Sequence, residues 1–232
     1  MMKIENHLYF TDVPIEELMI SVQPFKEMLM YYECALLEVK TKVEVLDKGF
    51  EVKYQRNPVQ TIKTRLKRPV SIVEKLDRLG LPRTIANMGE HIHDIAGIRI
   101  ICSFMEDIYT IAELLTGQDD IILLQKKDYI QHPKPNGYRS LHLLVEVPIF
   151  LSNQKKSICV EVQLRTVAMD FWASIEHDIK YKKDVSNRNA ITERLRLCAE
   201  RVASLDSEMQ EIGREVNISS EGTVFPTTYQ GD

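Results

Sequence analysis

Residues 157–166, SICVEVQLRT, alternate without a break. Ile158, Val160, Val162 and Leu164 face one way in an extended chain, and Cys159, Glu161, Gln163 and Arg165 face the other. A strand of this kind must lie in a sheet whose apolar side is covered. Its carboxylate in mid-strand marks either open solvent or a site, and the strand alone leaves both readings standing. Four more segments read as strands: VQTIKTRLK (59–67), DIAGIRIIC after Asp94, IILLQKKDYI (121–130) and RSLHLLVEV (139–147).

Helical spacing surrounds them. Residues 13–48 place Ile15, Leu18, Met19, Val22, Phe25, Met28, Leu29, Tyr32, Leu36, Val39, Val43 and Leu46 three or four apart. Pro24 is expected to kink or break this helix and Gly49 to stop it. Ser71 and Glu74 predict a capping box for a short helix that ends at Gly80 and Pro82. Further helices are predicted over 82–92, over 106–117 and from Thr166 onward, and the last 15 or so residues read as a disordered tail. The fold class is α/β (α+β): a mixed central sheet flanked by helices, with helical extensions at both ends. The expected segments are 1–49, 50–185, 186–217 and 218–232.

A net charge of −4 argues against a general nucleic-acid binder. Cys34, Cys102, Cys159 and Cys198 form no CxxC pair and read as buried free thiols of a reducing cytosol. The start, MMKIENHLYF, has no signal-peptide core, and no apolar run approaches the roughly 18 residues of a membrane span. The expected location is cytoplasmic, with no membrane partner. Neither GxxxxGK[ST] nor GxGxxG occurs, so any nucleotide must be held by side chains.

The charge is unevenly spread. Lys53 to Arg83 holds nine basic residues and two acidic ones. Arg65 and Lys67 share one side of a strand, and Lys75 and Arg78 share one face of the next helix. Four cations on adjacent elements suit a polyphosphate. Two carboxylates from neighbouring strands, Asp94 and Glu161, could share one hard metal such as Mg²⁺, which takes one or two carboxylates plus substrate phosphates. In KPNGYRSLH (134–142), Asn136 and Gly137 make a turn and Tyr138 stands at the mouth of a strand, where it could stack on a base.

RLKRPVSIVEKL, DIAGIRI, DYIQHPKPNGYRSLH, VEVQLRTVAMDFWASIEH and the following YK, in this order, resemble the synthetase domain of RelA/SpoT-type alarmone synthetases over roughly residues 50–185. Without the long regulatory regions and the hydrolase domain of the large members, the chain resembles a small alarmone synthetase. The resemblance implies a nucleotidyltransferase-like fold and a pyrophosphotransferase that moves the β,γ-diphosphate of ATP to the 3′-hydroxyl of GDP or GTP. It places Arg65, Lys67, Lys75 and Arg78 on ATP, Arg99 against the adenine, Asp94 on Mg²⁺ and Tyr138 against the guanine. Glu161 is placed at the 3′-hydroxyl and at the metal, and Lys134, His142 and Gln163 in the GDP/GTP motifs. Asp170 falls where some relatives have asparagine, and its role stays open. Oligomerisation through the terminal helices, as a homotetramer, is implied as well, and RNA regulation is left open.

Two rival readings start from the same residues. His93-Asp94 in HIHDIAGIRII could be the pair of a metal-dependent phosphohydrolase, but His91 is too close to supply a separate helix and Asp94 runs straight into a strand. His91 and His93 read instead as polar residues at a helix end. A non-catalytic nucleotide or RNA sensor could use the same basic face, yet it gains nothing from two carboxylates in the cleft.

Overall fold

The computed structural model describes residues 23–181 and 187–219. In chain order the elements are α1 (Gln23–Tyr54), β1 (Val59–Leu66), α2 (Pro69–Leu79), α3 (Ile85–His91), β2 (Ala96–Cys102) and α4 (Met105–Thr116). There follow β3 (Ile122–Asp128), β4 (Leu141–Phe150), β5 (Lys155–Thr166), α5 (Val167–Tyr181) and α6 (Arg188–Ser219). One sheet takes the order β1-β2-β5-β4-β3. β2 and β5 are parallel and the other neighbours antiparallel, which is the mixed sheet expected. A parallel pair needs a crossover connection, and α4, β3 and β4 lie between its two strands in the chain.

The alternation of β5 holds. Val160, Val162 and Leu164 are fully buried and share one core with Ile98 and Ile100 of β2 and Leu141, Leu143 and Val145 of β4. α1 crosses β2, β4 and β5 and lays Phe25, Met28, Tyr32, Leu36, Val39 and Val43 into that core. α4 adds Ile108, Ile111 and Leu115. Each fully buried Ile or Leu contributes about 1.5–3 kcal/mol. With one side thus sealed, the opposite side of the sheet is left for polar residues.

Three boundary expectations fail for local reasons. Pro24 does not interrupt α1; it stands in the first turn, where its missing N–H leaves no helical bond unmade. Gly49 does not stop the helix either. α1 continues to Tyr54 because Phe50 is buried in the core and its ring meets Tyr54 at 5.2 Å, and the left-handed residue just beyond the end is Gln55, at φ 52°. The capping box at Ser71 and Glu74 does not form: the N-cap is Arg68, three residues earlier, and α2 starts at Pro69, whose fixed φ suits the first helical position. Gly80 ends α2 as expected, at φ 68°, its N–H bonded to the carbonyls of Leu76 and Asp77. The expected helical residues 13–22, the segment 182–186 that includes Lys182, and the tail from 220 lie outside the described residues.

α6 is fastened at several points. The Trp172 indole N–H donates to the Leu195 carbonyl at 2.8 Å, and the Thr166 hydroxyl donates to Asp206 at 2.6 Å. Gln210 accepts from the Glu106 backbone N–H, and Arg214 pairs with the Glu106 carboxylate.

Candidate active site

Strand register assembles the site in two rows across the polar side of the sheet. Pairing aligns Lys63, Arg99, Gln163, His142 and Lys127 in one row. The next aligns Arg65, Gly97, Glu161, Leu144 and Gln125. Each strand contributes every second residue, so alternation converts directly into a lined cleft.

Two adjoining cavities open on these rows. The larger, about 320 Å³, is bordered by Lys75, His93, Gln125, Lys127, Tyr129, Lys134 and His142. The smaller, about 150 Å³, is bordered by Lys63, Arg65, Arg99 and Gln163. Asp94 and Glu161 border both.

Asp94 sits in the turn between α3 and β2. Lys67 Nζ reaches one of its oxygens at 2.8 Å and Lys75 Nζ the other at 2.7 Å. Burial pushes its pKa up, but hydrogen bonds and charge from the two lysines outweigh that, and the net displacement is downward. Asp94 therefore stays a carboxylate at neutral pH. Glu161 is held from two sides. His142 Nδ1 lies 3.5 Å from Oε1, and Gln163 Nε2 donates to Oε2 at 3.0 Å. The His142 contact is the largest cause lowering the Glu161 pKa, against burial and the nearby charge of Asp94, which raise it.

Asp170, in the first turn of α5, is the second anchor. It accepts from Lys63 at 3.2 Å, Arg99 at 3.2 Å and Arg165 at 3.1 Å. Three cations of one face thus converge on a buried carboxylate. Burial and the charge of Arg165 lower the pKa of Arg99, and Asp170 opposes them.

The turn before β4 carries the aromatic side. The Gly137 N–H donates to the Lys134 carbonyl at 2.8 Å and the Lys134 N–H to the Tyr138 carbonyl at 3.1 Å. Gly137 takes φ 88°, which favours glycine. Lys134 Nζ stands 4.5 Å from the Tyr129 ring centre and 4.9 Å from that of Tyr138. Tyr138 borders neither cavity; its ring also carries the Arg165 guanidinium at 5.0 Å, and Tyr129 meets it edge-on at 6.1 Å.

The predicted residues Arg65, Lys67, Lys75, Asp94, Arg99, Lys134, His142, Glu161 and Gln163 therefore gather around one cleft. Arg78 is exposed on α2 and borders neither cavity. Other cations of the basic run are diverted: Arg83 pairs with Asp77, and Arg56 with Asp107. Lys63, Lys127 and Tyr129 carry no role from the sequence; strand parity, the same as that of Arg65 and His142, is the signal for the two lysines. His91 ends α3 and is exposed, while His93 follows it and borders the larger cavity. Among the described residues no group of three or more His, Cys, Asp or Glu gathers to hold a metal.

Fold and site define an α/β protein with a basic cleft built from side chains around two carboxylates. Residues 64–186 match the family described as a region found in RelA / SpoT proteins. GTP pyrophosphokinase YwaC of Bacillus subtilis is 43% identical over 203 residues, which cover 88% of this chain and 97% of that protein. GTP pyrophosphokinase YjbM of the same organism is 36% identical over 192 residues, covering 83% and 90%. The solved structure of small alarmone synthetase 2 from Bacillus subtilis superimposes with a TM-score of 0.74 at 44% identity, covering 83% of this chain and all of that one. Small alarmone synthetase 1 from the same organism, bound to its product pppGpp, gives 0.74 at 35% identity, covering 84% and 99%. The chain belongs to the RelA/SpoT family.

Proposed function

We propose that this chain is a small alarmone synthetase, a GTP pyrophosphokinase that transfers the β,γ-diphosphate of ATP to the 3′-hydroxyl of GDP or GTP. The products are AMP and ppGpp or pppGpp. One observation carries the reading: Asp94 and Glu161 border two adjoining cavities, each with its own cations. Such a cleft can bring a donor and an acceptor together at one pair of carboxylates.

In the transfer, the acceptor 3′-oxygen bonds to the β-phosphorus, the bond from that phosphorus to the bridging oxygen breaks, and AMP leaves with that oxygen. Arg65, Lys67, Lys75 and Arg99 line up on the donor, where guanidinium and ammonium groups offset the charge of a triphosphate. Arg78 is assigned to ATP by family resemblance alone. Glu161, kept ionised, takes the proton of the acceptor hydroxyl. Lys134, His142, Gln163 and the Tyr138 ring serve the guanosine nucleotide. Mg²⁺ would be held by Asp94 and Glu161, oxygen ligands whose mutual repulsion a cation relieves, with Lys67 or Lys75 giving up an Asp94 oxygen to it. When bound, it supplies charge neutralisation on the phosphates.

The described helices include none long and apolar enough to cross a membrane. We place the enzyme in the cytoplasm, where its four free cysteines stay reduced. Leu205, Met209, Ile212 and Val216 are exposed on one side of α6, which supports assembly through this helix; the homotetramer rests on family resemblance alone.

The test uses ATP labelled at the γ-phosphate with GDP or GTP and Mg²⁺. Label should move to a guanosine tetra- or pentaphosphate. Glu161→Gln should abolish transfer while ATP affinity changes by less than about threefold. ATP binding without transfer by the unaltered protein would turn the reading toward a nucleotide sensor.

A further inference from the structure

Arg165 has no role from the sequence, yet it is 4% exposed and faces the site from the end of β5. Its Nη2 donates to the Tyr138 hydroxyl at 2.6 Å and to Gln163 Oε1 at 3.2 Å. Its Nη1 donates to Asp170 at 3.1 Å, the carboxylate it shares with Lys63 and Arg99. A guanidinium has no acceptor. That fact sets the polarity of everything attached to it.

The Tyr138 oxygen must accept from Arg165. Its own hydrogen then goes to the other partner in reach, His142 Nε2, at 2.8 Å. Nε2 accepts, so the proton of the neutral imidazole is on Nδ1, the atom facing Glu161 Oε1 at 3.5 Å. The second branch is shorter. Gln163 Oε1 accepts from Arg165, which turns the amide nitrogen to Glu161 Oε2 at 3.0 Å. Both oxygens of Glu161 therefore face donors, and one guanidinium nitrogen holds the far end of each donor group, directly at Gln163 and through Tyr138 at His142.

We propose that Arg165 is a positioning residue that orients the Glu161 carboxylate through two branches, one by hydrogen bonds through Tyr138 to His142, which faces Glu161 at 3.5 Å, and one by hydrogen bonds through Gln163. The first branch runs through the tyrosine expected to carry the guanine, so it links the seating of the acceptor nucleotide to the aim of the carboxylate. The proposal rests on Glu161 acting at the acceptor hydroxyl; its first test does not depend on activity.

That test is the tautomer of His142. In the full chain labelled with ¹⁵N-histidine, at about pH 8, above the usual imidazole pKa, long-range ¹H–¹⁵N spectra distinguish the three imidazole forms. The His142 signal is the one lost in His142→Gln. The expected form is Nδ1–H, with Nε2 accepting from the Tyr138 hydroxyl; Tyr138→Phe, which keeps the ring, leaves the proton on Nδ1 facing Glu161 and should move the Nε2 resonance to that of an imidazole nitrogen with no hydrogen bond. An Nε2–H or imidazolium form in the unaltered protein, or an Nε2 resonance unchanged in Tyr138→Phe, would overturn the proposal.

The kinetic test is a cycle of Tyr138→Phe and Arg165→Lys. Each should lower kcat about tenfold or more with the KM for ATP within about twofold. In the Arg165→Lys background, Tyr138→Phe should cost less than about twofold, since the branch is already cut. Additive losses, or a loss confined to KM, would count against the branch. If Arg165→Lys does not fold, the Tyr138→Phe spectrum still decides. An Nδ1–H imidazole in a protein that transfers nothing would refute the synthetase reading and leave the branch intact.

Discussion

Gly137→Ala puts a methyl group where the chain has no room for one. A Cβ at residue 137 would stand 2.5 Å from the Ala199 Cβ and 3.4 Å from the Arg196 carbonyl oxygen, both on α6. It would also need an alanine at φ 88°. The left-handed conformation costs about 1–2 kcal/mol, and overpacking against the buried Ala199 about 1–3 kcal/mol. Together they predict a loss of about 2–5 kcal/mol, a fall in Tm of roughly 5–15 °C for a domain of this size. Tyr138 follows directly, so the KM for GDP or GTP should rise while that for ATP stays put. Denaturant unfolding and initial rates against each nucleotide measure both effects. An Ala199→Gly background separates the two causes, because there the cost of Gly137→Ala should shrink to its conformational share, about 1–2 kcal/mol. A Tm within about 1 °C of the parent and an unchanged KM would refute the close approach of the turn to α6.

Asp170→Ala removes the shared partner of Lys63, Arg99 and Arg165, and leaving these cations facing one another should cost about 3–5 kcal/mol in denaturant unfolding. Asp206 behaves oppositely. Burial raises its pKa, outweighing the Thr166 hydroxyl, so folding is penalised as pH rises from the unfolded value, about 3.9, through the folded one. Asp206→Asn should therefore raise Tm at neutral pH, with the gain fading in acid; a pH-independent difference would contradict this. Asp94 has a lowered folded pKa, so its stabilisation is complete above about pH 3.9 and is lost as pH falls through the folded value. Any stability advantage over Asp94→Asn should thus shrink only at the acid end of a urea series.

The sheet was legible because the alternation in β5 and the apolar run of β2 depend only on chain period, and period survives any tertiary context. The cleft was partly legible for the same reason: residues of equal parity on paired strands must line up, and Glu161, Gln163 and His142 do. Boundaries were less legible. Ser71 with Glu74 and Pro69 are competing local signals, and the proline won. Gly49 stays helical because Phe50 finds a place in the core, a fact no local pattern contains. The two lysines converging on Asp94 come from β1's end and α2, and the Arg165 contact with Tyr138 spans 27 residues. Parity put Arg165 on the face of Glu161; only packing brought it against the tyrosine and Asp170.

The measurement closest to the central claim is the balance of products. The enzyme is incubated with ATP, GDP and Mg²⁺, and every nucleotide is counted over time. Transfer of the β,γ-diphosphate as a unit predicts AMP and guanosine tetraphosphate formed in equal amounts, with the new phosphates on the 3′-oxygen. ADP appearing in place of AMP, or inorganic phosphate released without a guanosine product, would contradict it.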